Sequence, residues 1–401
     1  MINIDKTTKI GSILEKEEMF EVFLSNGFKA ESKDELINLL GKDTMLQTVL
    51  KVRNINIELF INALNEKISE EEVEENFNDI YYDETKELNF LGSSICPLRK
   101  TFNDNLKETL ENYRKETGKT FNCYVHTGHG DDNSKYDDIW QEKDIDKFPD
   151  IVLSKGFDDF YKKEFIDNLV SKGYFKSVNS SNIDKTFIEA GCLDEDYTMY
   201  GAFLDALLID KKRLGDLPVP KTWGDLLNPM YRDMIITIKK GEELSTAIPL
   251  YLYKEYGEDS IKQYALNVKG IIHSPKMARL IGTNSEEAGA IYTMPLIFAK
   301  SCVKEGLELV IPEDGAMIYP FAMLVKKGKE EELKLLIDYV FDNYGLNLIQ
   351  SHALSLSPNI ENPTLKEHKL KWLGWDFIKS RDMGELEEHI KKEFYNVWNA
   401  K

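Results

Sequence analysis

Cysteine is scarce in this chain. Four occur in 401 residues, Cys96, Cys123, Cys192 and Cys302, and no two form a C-x-x-C pair. Neither a disulfide scaffold nor a closed zinc site is indicated by that spacing. Long apolar runs are also missing: no stretch reaches the roughly 18 residues that span a bilayer. The opening MINIDKTTKIGSILEKEEMFEVF has no basic start followed by an apolar core, and no lipidation cysteine stands near it. The expectation for the chain as written is therefore a cytoplasmic protein, or an extracytoplasmic one if a leader was removed. Positive charge is in deficit, with 51 Lys and Arg against 70 Asp and Glu and a net charge of −19. Nucleic acid and anionic membrane would both repel such a surface, so neither nucleic-acid binding nor membrane insertion is expected.

What is present is an ordinary globular composition, 42% hydrophobic, with length for more than one domain. Three domain-level segments are expected: a small helical domain at 1–68, an acidic linker at 69–87 and a body at 88–401. In IGSILEKEEMFEVFLSNGF, Ile10, Ile13, Leu14, Phe20, Phe23 and Leu24 recur near a helical period, and Asn26-Gly27 is a stop signal. Ser32 stands three residues before Glu35, the spacing of a capping box. A third helical pattern runs from Asn56 to Lys67. The phrase resembles the small DUF1858 (ScdA N-terminal-like) helical domains, although Lys29-Ala30-Glu31 stands where many of those carry cysteine. The module is expected to dock a protein or to dimerise.

From residue 88 the pattern alternates. ELNFLGSS, FNCYVHTG and DKFPDIVLSKGF each read as a strand running into a small-residue loop, with helical stretches between. A β-α-β-α-β order implies a parallel sheet, whose ligands sit at the carboxyl ends of the strands. Three loops then converge: Ser93-Ser94 with Cys96; Thr127, Gly128 and His129; and Ser154-Lys155-Gly156.

The layout as a whole resembles the type II periplasmic solute-binding proteins of ABC transporters, in particular the iron(III), thiamine and phosphonate group. The residues that carry the resemblance are YGAFLDALLIDKKRLGDLPVPKTWGDLLNPMYRDMIITI, AGAIYTMP and VIPEDGAMIYPFAMLVKKGKEEELKLLIDYVFDN. It implies an α/β, two-lobed type II periplasmic-binding-protein fold with a hinge, preceded by the small all-α domain. Lobe one would comprise about 88–198 and 316–401, and lobe two about 199–315. The implied function is capture of a small anionic ligand, or a metal–anion complex, by hinge closure, with an ABC transporter permease as partner and no cofactor.

Lobe two would offer Ser245-Thr246, which open a helix whose unpaired N–H groups favour an anion. Tyr200, Tyr292 and Tyr319 would line the cleft, and Arg99 and Lys155 are the nearest cations. Many iron-binding relatives carry two adjacent tyrosines after the lobe-two strand, whereas IYTMPLIF has one, set earlier. The HTGHG loop admits a second chemistry. His126 and His129 are candidate metal ligands with Asp131 and Asp132, and Cys96 with His129 would serve a cysteine-based hydrolase. The favoured role is a ligand loop, in which Gly128 and Gly130 bring the backbone close to the bound group.

Overall fold

The computed structural model describes residues 4–16, 18–25, 28, 30, 32–53, 57, 60, 61, 64, 77–95, 98–126, 135–157, 159–241, 243–366 and 368–401. Among the described residues, twelve strands form one sheet system. In chain order they are β1 (Phe90–Gly92), β2 (Cys123–Val125), β3 (Ile151–Lys155), β4 (Tyr197–Asp210), β5 (Ile235–Lys240), β6 (Glu243–Leu244), β7 (Val268–Ile272), β8 (Ile291–Pro295), β9 (Leu307–Val310), β10 (Ala316–Val325), β11 (Leu354–Ser355) and β12 (Leu370–Lys371).

The parallel order expected from residue 88 is present: β1 pairs in parallel with β2 on one side and β3 on the other. β3 then meets the carboxyl half of β10, antiparallel, from Phe321 opposite Lys155 to Val325 opposite Ile151. β4 is the central strand. Its first half pairs with β10, while its second half, Asp205–Ile209, pairs with β8, which leads on to β5 and β7. The two long strands thus run from one half of the sheet into the other. Near the crossing, the register shifts so that Phe321 and Ala322 face Gly201 and Met199, leaving Tyr200 as the extra residue of a bulge. Bulges re-aim side chains and increase local twist. Here Tyr200 turns into the lobe-one core, stacked on Phe321 and beside Tyr344.

The run YTMYGAFLDALLID is buried along almost its whole length. Strands covered on both faces read this way, because each alternating side chain meets a packed layer. The motif P-K-T-W-G-D-L-L-N-P is a set of local turns: the Asp225 carboxylate accepts from the N–H groups of Lys221 and Thr222 at 2.8 and 2.9 Å, and Asn228 accepts from Met230 N–H at 3.1 Å.

In front of the body, Ile10, Ile13, Leu14, Phe23, Leu36 and Leu50 share a separate small core. Ser32 caps its helix as expected, accepting from Glu35 N–H at 3.2 Å. The Asn26-Gly27 stop and most of the third helical pattern lie outside the described residues.

Two segments depart from expectation. The stretch read as the end of an acidic linker is packed onto lobe one from Phe77 onward. Phe77 is buried in the core that holds Phe90 and Phe102, and the Asn122 amide donates to the carbonyls of Asp83, Lys86 and Glu87. Polar composition suggested a loose tether, but the Asn122 side chain holds the backbone of this stretch, and its Asn78 side chain bonds the edge-strand backbone at Val125. The C-terminal helix Met383–Trp398, expected with lobe one, lies along lobe two. Phe394 packs on Tyr264, the Trp398 indole donates to Val268 O at 3.0 Å, and Tyr395 OH accepts from Leu244 N–H at 2.9 Å. Its amphipathic stripe finds its apolar partner there.

Candidate functional site

The ends of β1, β2 and β3 bring their loops together. His126 N–H donates to Gly92 O at 3.0 Å, and Lys155 Nζ donates to the Ser94 carbonyl at 2.8 Å. Ser93 and Ser94 are buried. Gly156 is required as glycine for two reasons. Its φ is +71°, and an added Cβ would come within 2.1 Å of the Tyr319 ring. Tyr319 of β10 therefore lies directly over the loop after β3, and Gly156 N–H donates to Pro320 O at 2.7 Å.

His126 has its Nδ1 3.9 Å from the Asp137 carboxylate. Burial holds its pKa below the ordinary 6.5, Asp137 opposes this, and the Lys155 charge adds to the lowering. Burial thus favours the neutral imidazole. The remainder of the HTGHG loop (Thr127, Gly128, His129, Gly130, Asp131 and Asp132) and Cys96 lie outside the described residues. Among the described residues no cluster of three metal-ligating side chains occurs. Cys123, Cys192 and Cys302 are buried, and burial pushes each thiol above its usual value. Such thiols are poor nucleophiles.

On the other half of the sheet, at the carboxyl ends of β5 and β8, there is a cavity of about 220 Å³. Its walls include Phe203 and Asp205 of β4, Thr237 of β5, Ser245, Pro295 and Tyr319. A drug-sized ligand pocket runs to about 300–1,000 Å³, so this space suits a solute of a few heavy atoms. A larger open groove, of about 840 Å³ between Tyr81–Glu87, Arg114 and Asn122, lies at the opposite end of the parallel strands. Ligands of open α/β sheets bind at the carboxyl ends, which favours the smaller cavity.

Of the residues expected from the sequence, Ser245 and Tyr319 line this cavity, and Gly156 reaches it through Tyr319. Thr246 is placed differently. It is buried, and its hydroxyl donates to the Glu387 carboxylate of the C-terminal helix. Tyr292 is fully buried, its oxygen accepting from Gly289 N–H at 3.0 Å, and Tyr200 belongs to the lobe-one core. Neither ring is part of the cavity wall, because each faces away from it along its strand. Arg99, named with Lys155 as a cation near the cleft, is buried in the first turn of the Arg99–Thr117 helix and is not part of the cavity wall.

Asp205 is the residue that sequence reasoning passed over. It is 5% exposed, and burial pushes its carboxyl up to about 7. Behind it, Thr237 Oγ1 accepts from Tyr264 OH at 2.9 Å and from Thr293 Oγ1 at 3.0 Å. A lone acid inside the apolar run YGAFLDALLI was the available signal, since buried carboxylates are rare without a partner.

The model of the bacterial extracellular solute-binding protein family matches residues 146–381, more than half of the chain. No curated protein matches the chain. Solved structures share its fold. The apo ferric ion-binding protein A of Pasteurella haemolytica is 16% identical with a TM-score of 0.52, covering 78% of this chain and 98% of that one. A Trichodesmium protein (IdiA, FutA) in complex with iron and citrate is 12% identical with a TM-score of 0.53, over 78% and 99% of the two chains. A Clostridium perfringens ABC transporter structure is 15% identical with a TM-score of 0.50, over 78% and 99%.

Proposed function

Because the chain belongs to the bacterial extracellular solute-binding protein family, we propose that the cavity between β4, β10 and the carboxyl ends of β5 and β8 is its solute site. Proteins of this family bind small ligands and deliver them to permeases; they do not turn them over, so the hydrolase alternative built on the HTGHG loop is set aside. The observation that carries the site is the position of the cavity. It lies where the two crossing strands pass from one half of the sheet to the other, between Tyr319 over Gly156 and Ser245 at the start of the Ala247–Tyr256 helix.

In this reading lobe one is built on β1, β2, β3 and the carboxyl half of β10, and lobe two on the second half of β4 with β5, β7 and β8. The ligand is small and carries an acidic group. Ser245, the backbone at the start of the Ala247–Tyr256 helix, and the lobe-one loops with Ser93, Ser94, Lys155 and Gly156 receive it; Cys96, Thr127, Gly128 and His129 would complete that side. Donors at strand ends and a helix N-terminus support an anion. Closure follows because a ligand touching both lobes stabilises the closed state by its extra contacts. The permease partner is that of an ABC transporter, and the family description supports the extracytoplasmic of the two placements considered. The front helices, with their own small core, serve as a docking or dimerising module.

Calorimetry against a library of small acids, with mass spectrometry of the recovered solute, tests the reading. The expected result is saturable binding of an unchanged solute together with a smaller radius of gyration in small-angle scattering. A solute that is consumed, or one bound without protection of Ser245 and Tyr319 from exchange and labelling, contradicts it.

A further inference from the structure

Asp205 is a carboxylate with no hydrogen bond and no ion pair among the described residues, although it is 5% exposed and stands in the wall of the cavity. Its position there follows from register. Phe203 and Asp205 are two apart on β4 and so point to one face of the sheet. Tyr319 is the cross-strand partner of Phe203, and Pro295 that of Asp205. All four line the same cavity. One wall of the site thus consists of two aromatic rings, a proline and an uncompensated acid.

We propose that Asp205 receives a cationic nitrogen of the solute, so that the ligand is a small zwitterion whose ammonium lies against Asp205 and the rings of Phe203 and Tyr319. The inference rests on the reading of this cavity as the solute site and adds the second half of the ligand's charge pattern. A buried charge left unpaired is costly, and a bound ammonium removes that cost at the moment of binding. The two rings add attraction for a cation over their faces. Lys239 and Lys240 also line the cavity, and no charge from either acts on the Asp205 carboxyl, whose rise comes from burial alone. Tyr251 and Tyr264 are the other titratable groups that sense Asp205, and both are buried phenols held in the neutral form by burial. Tyr251 OH is already engaged, donating to Ile318 O at 2.6 Å, and Tyr264 OH to Thr237. Neither supplies a positive charge, so the partner must come from the solute. The acidic group of the same molecule then points toward Ser245 and the lobe-one loops.

The test uses matched probes on the full chain at pH 8: 2-aminoethylphosphonate against propylphosphonate, and β-alanine against butyrate. In each pair an ammonium replaces a methyl group at nearly constant shape. In the wild-type protein the amine of at least one pair is expected to bind at least tenfold tighter than its isostere by calorimetry. In Asp205→Asn that preference falls below threefold. The variant is expected to keep a cooperative melt, because it removes a buried charge at constant volume; the wild-type comparison stands without it in any case. Equal binding within both pairs overturns the proposal, as does a preference that survives in Asp205→Asn. Failure of both amines, alongside tight binding of a nitrogen-free acid from the wider library, leaves solute capture standing and overturns the role of Asp205. Absence of any bound solute across that library overturns the cavity reading and the proposal together.

Discussion

Asn78 and Val125 form a closed pair: the Asn78 amide donates to Val125 O at 3.0 Å, and its side-chain carbonyl accepts from Val125 N–H at 2.9 Å. One side chain thereby takes the place of a further strand on the edge of β2. Edge strands present rows of open donors and acceptors, and covering them protects the sheet.

This pairing sets where the chain can be shortened. A protein that begins at residue 77 retains Phe77, Asn78 and the carbonyls held by Asn122. One that begins at 86 loses the first two along with the Asp83 contacts. The chain from 77 is expected to melt cooperatively, and the chain from 86 to be less stable by several hydrogen bonds and one buried ring. Asn78→Ala in the full chain should cost about 1–3 kcal/mol, the range for leaving buried backbone groups unpaired. Urea denaturation of the three proteins is the measurement; equal midpoints would show that the edge needs no cover.

Asp205 makes stability depend on pH in a defined direction. Its carboxyl titrates near 7 in the folded protein against an ordinary 3.8. Between those values the folded state holds a proton that the unfolded chain has lost, so stability falls as pH rises from about 4 to 7 and is level above that. The full shift corresponds to roughly 4 kcal/mol at 1.36 kcal/mol per unit. Asp205→Asn removes the contribution, so its denaturation midpoint should exceed that of the wild type at pH 8 and match it near pH 4. A constant difference across the range would place the effect elsewhere.

Gly156→Ala combines a left-handed backbone with a steric clash against Tyr319. The backbone term alone is about 1 kcal/mol or more, and the displaced ring adds to it. Stability should fall by more than 1 kcal/mol, and near-ultraviolet circular dichroism should report a moved tyrosine. A variant as stable as the wild type would mean that Tyr319 does not rest on this loop.

The fold was legible because its signals are local and repeated. The order of strands and loops from residue 88 gave the parallel edge. The segments around P-K-T-W and P-E-D-G carried the resemblance, and they meet in space: the Trp223 indole donates to Gly315 O at 2.8 Å. Less of the site was legible. Side-chain direction decides whether a tyrosine lines a cavity, and that depends on register. Tyr200 sits at a bulge and Tyr292 lies one position out of phase with Pro295, so two of three candidate rings turned inward to cores. Asp205 was hidden by its neighbours, since a run that reads as buried strand draws attention away from the one residue in it that needs a partner. The linker misled for a different reason. Composition registers that Asn78 and Asp83 are polar, but not that Asn78 is spent on the edge of β2 and that the backbone of Asp83 is held by the Asn122 side chain.

Ser245 and Thr246 were a single feature of the sequence, and the structure separates them. Ser245 lines the cavity, and its N–H is bonded to Ile238 O at 2.9 Å, so its hydroxyl is the group offered to a solute. The Thr246 hydroxyl is committed to Glu387. That carboxyl is raised above its ordinary value by burial, with the Thr246 bond and the charges of Lys240 and Lys391 acting against the rise. The pair ties the start of the Ala247–Tyr256 helix to the C-terminal helix. Thr246→Val should therefore lower stability by about 1–3 kcal/mol, the cost of leaving a largely buried carboxylate without its donor. Solute affinity should stay within twofold. Ser245→Ala should do the reverse, leaving the melting temperature nearly unchanged and weakening the solute by about 1 kcal/mol, one hydrogen bond's contribution. Calorimetry and thermal melts on both single variants separate the two roles. If Thr246→Val weakens binding while Ser245→Ala does not, the anion contact belongs to the threonine and the tie to Glu387 yields when the solute arrives.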